Sequence, residues 1–293
     1  MQPTIIITGA NGLIGSFLVN FFAQKQWRVK AFARNPIIDN SPLVEYHPFE
    51  MPNKINENAF VGADYLIHCA VAKYTRRTPD ADKVNIQGTQ KLLELSRKHK
   101  LKRFVFFSTM SAHAQAQSHY GKHKLYLESV FDLSQDVILK PGLVLGNGGL
   151  FETIKNTIQK SKIIPLVGGG HQPIQTIHIQ QLAEAIDLIL KKSLTGIFYL
   201  GENQPITLKQ LHQALAIHLG LKRRFLALPT LGVGIALKTI DFLRIPTAIT
   251  YENLLGLKAL KAFDTTSTSE QLAIDFKTYE ESIQAVFAPK KNG

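Results

Sequence analysis

The chain has 293 residues, 45% hydrophobic and 19% charged, enough to bury a sizeable core as one large domain or a domain with an appended lobe. Its single cysteine, Cys69, excludes an internal disulfide framework and a thiolate-rich metal site. Thirty-four Lys and Arg against twenty-two Asp and Glu leave a net charge of +12, which favours anionic partners; the cations are dispersed and lack the aromatic-interleaved stripe of a nucleic-acid binder.

The run Thr4–Thr8 reads as a strand that begins almost at once, leaving no room for a signal peptide. Further strands are expected at Arg28–Phe32, Leu43–His47, Asp64–Cys69, Arg103–Ser108, Val137–Leu139 and Ile197–Leu200. Helices are expected between them at Gly12–Gln26, Ala81–His99, Tyr120–Leu133 and Gln180–Lys191. Such alternation implies an α/β fold, a doubly wound Rossmann-type parallel sheet with helices on both faces. Near-continuous apolar runs such as Ile5-Ile6-Ile7 fit strands buried on both sides. Glycine clusters at 146–149 and 168–170 then bracket a short helical run, and from Thr207 the chain reads as the helices Leu208–Leu219, Leu231–Leu243 and Tyr251–Ala262. The organisation expected is a dinucleotide-binding domain over 1–147, joined by a return strand and helix at about 176–200, interleaved with a smaller, mostly helical substrate lobe over 148–293. No segment reaches the ~20 apolar residues that span a bilayer. Pro229–Ile245 has the composition of a membrane-surface helix, although packing against the lobe or a second subunit is the simpler reading.

Thr8-Gly9-Ala10-Asn11-Gly12-Leu13-Ile14-Gly15 joins the first strand to the first helix. In that setting three glycines permit a tight turn, close approach of backbone to a pyrophosphate, and close helix–strand packing. Gly9, Asn11, Gly12, Leu13 and Ile14 are therefore candidate phosphate-binding residues, using the free amides and positive end of the helix. The second strand ends in Arg34 where an NAD-selective protein usually carries an acid. A guanidinium suits a 2′-phosphate, so NADP(H) is the preferred cofactor and NAD(H) the second choice.

Tyr120 and Lys124 stand four apart at the start of a predicted helix, on one face. A free phenol has a pKa near 10, and an ammonium beside it favours the phenolate, so the pair is suited to proton exchange with a substrate oxygen. Ser108, Thr109 and Ser111, at the end of the preceding strand, supply hydroxyls to orient that oxygen. His119 and His123 share the helical spacing, but without an H-E-x-x-H glutamate or a third ligand they read as solvent- or pocket-facing, and no metal is expected. Lys73, Arg76 and Arg77 follow the fourth strand and suit either a phosphate or water.

With these motifs the chain resembles the extended or atypical short-chain dehydrogenase/reductases, specifically the NAD(P)-dependent epimerase/dehydratase group. Thr8–Gly15 matches its T-G-x-x-G-x-x-G turn, Val84-Asn85-Ile86-Gln87-Gly88-Thr89 its V-N-x-x-G-T helix, and Lys140–Gly146 its R-P-x-x-V-x-G segment. Gly62–Ala70 resembles its fourth-strand motif and Thr176–Ile179 the start of its H-V-x-D element. The resemblance implies that Tyr120 is the general acid/base and that Lys124 lowers its pKa and binds the nicotinamide ribose. It also implies that Thr109, with Ser111 in reserve, is the hydroxyl partner. By the same likeness Asp64, Cys69, Ala70, Val71, Asn85, Ser108, Pro141 and Gly142 contact or support the cofactor. The chain departs from the pattern at Gln181, which replaces an acid, and at Phe49-Glu50 after the third strand. Its stretch from Ser108 to Tyr120 is also shorter than in many sugar-nucleotide epimerases.

Two classes of function follow. One is a cytoplasmic enzyme, oxidoreductase or epimerase, acting on a hydroxyl or carbonyl carbon of a small molecule, with no integral membrane contact, peripheral contact allowed, and pairing as a homodimer. The other is a non-catalytic NADP(H)-binding regulatory or assembly protein of the same fold. The intact Tyr120 and Lys124 favour the enzyme.

Overall fold

The alternating apolar and amphipathic runs become alternating strands and helices in the computed structural model, which describes residues 2–36, 41–72, 80–242 and 250–288, the side chains of 239–242 excepted. In chain order come β1 (Thr4–Thr8), α1 (Leu13–Gln24), β2 (Arg28–Ala33), β3 (Val44–Pro48), β4 (Tyr65–His68), α2 (Ala81–Lys98), β5 (Arg103–Phe107), α3 (His119–Glu128) and β6 (Val137–Pro141). Next are β7 (Leu143–Leu145), α4 (Gly149–Lys160), β8 (Ile163–Val167), β9 (Pro173–Ile174), β10 (Thr176–His178), α5 (Ile179–Lys191) and β11 (Gly196–Leu200). The last are β12 (Ile206–Thr207), α6 (Leu208–His218), β13 (Arg224–Leu228), α7 (Thr230–Phe242), α8 (Tyr251–Lys258), α9 (Thr266–Leu272) and α10 (Tyr279–Phe287).

A seven-stranded sheet runs in the order β11-β6-β5-β4-β1-β2-β3. β1 pairs in parallel with both β2 and β4, and β2 with β3, β4 with β5 and β5 with β6 are parallel too. The chain thus winds outward from β1 in one direction and then, from β4, in the other. This is the doubly wound Rossmann arrangement, in which ligands bind at the carboxyl ends of the strands where the order reverses. β11, the return strand, lies at the edge of this sheet. Three two-stranded ribbons, β7–β10, β9–β12 and β8–β13, were not legible as strands in the sequence.

The chain divides into two compact units, Met1–Ser108 with Tyr126–Leu139 and Ala183–Phe198, and Thr109–Leu125 with Lys140–Leu182 and Tyr199–Gly293. The stretch bearing Tyr120 and Lys124 groups with the second unit. In the first unit an aromatic-rich core gathers Phe32, Phe49, Phe60, Phe104 and Phe106. Phe49, at a position expected to carry an acid, fills this core with its ring 5.5 Å from that of Phe32. In the second unit the apolar faces of α4, α6, β8 and α10 meet around Phe151, Ile158, Ile164, Leu211, Leu215 and Ile283. α10, unforeseen, begins in a capping box between Thr278 and Glu281.

Candidate functional site

The first unit carries the glycine turn. Gly9 has φ 70°, and a Cβ there would lie 2.8 Å from the Ala70 backbone nitrogen, so only glycine lets the end of β1 lie against the end of β4. At Gly15 a Cβ would come within 2.2 Å of the Gly9 carbonyl oxygen, so helix and turn pack in backbone contact. Gly12 is the N-cap of α1; no side chain caps it and no acid stands in its first turn. The leading amides, with the positive end of the helix dipole, are therefore suited to an anion. Asn11 donates its amide to the Asn35 carbonyl at 2.7 Å and so ties this turn to the loop after β2. In that loop Arg34 is exposed, and its side chain makes no hydrogen bond or ion pair among the described residues.

At the carboxyl end of β4 a buried polar chain does what the sequence did not advertise. Thr8 Oγ1 lies 2.7 Å from His68 Nδ1, and His68 Nε2 lies 3.1 Å from Thr89 Oγ1. The Ala70 amide donates to Thr8 Oγ1 at 3.2 Å, so one hydroxyl joins β1 to the loop where Cys69, Ala70 and Val71 emerge. Asn85 is buried; its amide accepts from the Ala72 N–H at 2.7 Å and donates to the Ala72 carbonyl at 3.0 Å. With both ends of its amide occupied it holds Ala72, after β4, in place.

Two expected cofactor residues have partners within the protein. Asp64 precedes β4 at the amino end of the strands, where it accepts from the Thr4 N–H at 2.9 Å and pairs with Lys102 at 2.8 Å. It thus lies at the end of the strands opposite the glycine turn. Burial alone would raise its pKa, but hydrogen bonds from Lys102 and the Thr4 amide hold it below the usual value. Ser108 is buried and donates its hydroxyl to the buried Glu128 carboxylate, so that proton is already committed within the first unit.

The second unit carries the tyrosine and lysine. Ser118 caps α3 by accepting from the Gly121 N–H at 3.2 Å, and Glu252 accepts from the His119 N–H at 2.7 Å. A Cβ on Gly121 would stand 2.5 Å from the Ser111 carbonyl oxygen, so this glycine seats the helix start against the hydroxyl-bearing turn after β5. Thr109 Oγ1 accepts from the Ser111 N–H at 3.2 Å within that turn. Lys140, in place of the family's arginine, is buried, donates to the Ala112 carbonyl at 2.5 Å and stands 5.6 Å over the Tyr199 ring. It therefore pins the same turn from below. Gly142 approaches equally closely: a Cβ there would lie 2.2 Å from the Gln175 carbonyl oxygen.

Tyr120 is 50% exposed as a residue, and Lys124 is buried one turn later on the same helix. Desolvation nevertheless pushes the Tyr120 phenol above its ordinary 10.0, opposite to the lowering expected from a neighbouring ammonium. Burial is the cause, and it keeps the phenol protonated at pH 7.

Gln181, the departure from an acidic residue, has a structural reason. It donates to the Asp275 carbonyl at 2.9 Å and accepts from the Lys277 N–H at 2.9 Å, a pairing that needs both ends of an amide. The rings of His119 and His123 stack with centroids 6.4 Å apart, and no group of three potential metal-ligating side chains occurs among the described residues. Lys73, Arg76 and Arg77 lie outside the described residues. No described helix is long and apolar enough to cross a membrane.

Comparison with known proteins places the fold and the family. The ceramide reductase of Caulobacter vibrioides is 24% identical over 254 residues, covering 82% of this chain and 78% of that one. The crystal structure of gox2253 superposes with a TM-score of 0.77 at 17% identity, covering 98% of both chains. MoeE5, solved in complex with UDP-glucuronic acid and NAD, gives a TM-score of 0.74 at 18% identity over 96% of each chain. The model of the NAD dependent epimerase/dehydratase family, a family of enzymes, matches residues 5–201, and the chain belongs to that family.

Proposed function

We propose that the chain is an oxidoreductase or epimerase that moves hydride at a hydroxyl- or carbonyl-bearing carbon of a small molecule, with NADP(H) as its preferred cofactor. The observation that carries this reading is the start of α3. There Gly121 and the Ser118 cap hold Tyr120 and Lys124, one turn apart, beside the turn bearing Thr109 and Ser111. The glycine turn fits a pyrophosphate, because the Gly12 cap brings no side chain to the first amides of α1. Arg34 fits a 2′-phosphate, being exposed and unpaired among the described residues. NAD(H), the cofactor in the MoeE5 complex, is the weaker ligand on this reading.

When bound, the nicotinamide donates or accepts the hydride. The chain's own residues handle the proton. A neutral Tyr120 phenol gives its proton to a carbonyl oxygen during reduction, and the phenolate takes it back in alcohol oxidation. Lys124 stabilises the phenolate left behind and binds the ribose, while Thr109, whose oxygen already accepts from Ser111, directs its own O–H at the substrate oxygen. The short Ser108–Tyr120 stretch favours a substrate smaller than a nucleotide sugar. The same reading expects a cytoplasmic homodimer.

The test is NADPH deuterated at C4, incubated with a panel of ketones, aldehydes and keto-sugars, with product mass as readout. Native protein should transfer label to at least one member. Tyr120→Phe should lose at least 100-fold in rate while still binding NADPH. A variant as fast as native, or no label transfer and no change of substrate stereochemistry across the panel, refutes the proposal.

A further inference from the structure

The second unit presents a face in which cations and exposed apolar side chains adjoin. β8 and β13 form a parallel two-stranded ribbon in which Ile163 pairs with Arg224 and Pro165 with Leu226. One side of this ribbon is core: Ile164 and Leu166 are buried. The other side is not, with Ile163 55% and Leu226 52% exposed. At its amino end a cavity of about 430 Å³ is lined by Lys162, Ile163, Lys222, Arg223 and Arg224, with no carboxylate among them. Arg223 serves the fold by donating to the last carbonyls of α4, Ile158 at 2.5 Å and Gln159 at 3.1 Å. The side chains of Lys162, Lys222 and Arg224 are exposed and make no hydrogen bond or ion pair among the described residues.

The apolar face continues beyond the ribbon. α7 starts two residues after β13, and the position of a Gly168 Cβ, just past β8, is 3.1 Å from Thr230 Oγ1, so the first turn of α7 sits at the carboxyl end of the ribbon. Leu231, 78% exposed, and Ile235, 61% exposed, share one face of α7, while Leu237 is buried. The segment singled out in the sequence for its apolar helical spacing therefore buries Leu237 and leaves Leu231 and Ile235 exposed. From Arg224 to Leu228 the strand advances about 13 Å, so cations and apolar helix lie at the two ends of one strip.

We propose that this strip docks reversibly on an anionic lipid bilayer, with Leu226, Leu231 and Ile163 entering the headgroup boundary and Lys162, Lys222 and Arg224 meeting lipid phosphates. Charge decides the occupant. In an isologous contact about the middle of the strip a second copy would set these cations against its own apolar end, burying them without an anion. A nucleic acid would satisfy the cations and leave the leucines in water. An anionic bilayer satisfies both, and reversible adhesion requires just such a pairing of apolar area with nearby basic residues. The proposal stands apart from the catalytic reading, since none of these residues serves the cofactor or Tyr120.

The test is flotation of the full chain with vesicles of phosphatidylcholine alone or with one-third phosphatidylglycerol. Native protein should bind the anionic vesicles at least tenfold better. Lys222→Glu/Arg224→Glu should lower binding by at least about 25-fold, about fivefold per cation removed from the surface, with the new carboxylates repelled in addition. Lys54→Glu/Lys83→Glu alters net charge equally on the first unit and should stay within about twofold of native. Leu226→Ser/Leu231→Ser should cost roughly tenfold, leave thermal unfolding unchanged because both leucines are exposed, and leave only salt-sensitive adhesion. Equal losses in both charge variants would overturn the proposal, as would full binding by the leucine variant. A native dimer that the leucine variant dissociates, with no vesicle binding, would assign the face to a second copy instead.

Discussion

Replacing Arg34 with alanine isolates the choice between the two nicotinamide cofactors. The side chain is exposed and makes no hydrogen bond or ion pair among the described residues, so its removal orphans no buried group and should leave stability unchanged. The loop that carries it stays tethered through Asn11 and the Asn35 carbonyl at 2.7 Å, a contact the substitution does not touch. What is lost is then the charge-assisted contact with the 2′-phosphate, about 1.5–3 kcal/mol for a hydrogen bond to a charged group. That corresponds to NADPH binding weakened roughly 10- to 150-fold, with NADH binding, which offers no such phosphate, changed less than about threefold. Titration of the reduced cofactors by their fluorescence on the folded variant reads both constants directly. Gly9→Ala serves as the contrast: its Cβ would press on Ala70 at 2.8 Å with φ at 70°, which should weaken both cofactors together. Equal losses of NADPH and NADH in Arg34→Ala would refute the role of this guanidinium.

Other perturbations separate positioning from chemistry. Gly121→Ala must displace either the helix start or the Ser111 backbone from a 2.5 Å contact, and a shift approaching 1 Å should cost about 100-fold in hydride transfer while leaving NADPH binding within about twofold. A variant with native turnover would show that the close approach is dispensable. The Tyr120 phenol has its folded pKa above 10.0, so its contribution to stability is complete below pH 10 and falls as pH rises through the folded value. Between pH 9 and 11 native protein should lose stability in urea more steeply than Tyr120→Phe; parallel losses would contradict the desolvation argument. Gln181→Glu cannot donate to the Asp275 carbonyl and sets a carboxylate against it, so the urea midpoint should fall by the equivalent of about 1–3 kcal/mol at pH 7. An unchanged midpoint would mean that the amide bridge is not needed.

The doubly wound sheet is legible in the amino-acid order, because the succession of strands and helices is local information: apolar runs at strand length, amphipathic runs at helix length, and a glycine turn between the first pair. The positions of Thr4–Thr8, Arg103–Phe107 and Ala81–Lys98 were all readable this way to within a residue or so. Tyr120, Lys124 and Gly121 were visible as neighbours in the chain. What Gly121 does was not, since its reason is the Ser111 carbonyl ten residues earlier. The ribbons escaped for a related cause: β8 finds its partner β13 some sixty residues away, and a five-residue strand paired only at long range has little local signature. Asp64 shows the converse, a motif residue whose spacing suggested the cofactor but whose place before β4 puts it at the opposite end of the strands. Tertiary structure alone decided the sign of the Tyr120 shift and the exposure of Leu231, because desolvation depends on which atoms surround a group, and the neighbours that supply them come from distant stretches of the chain.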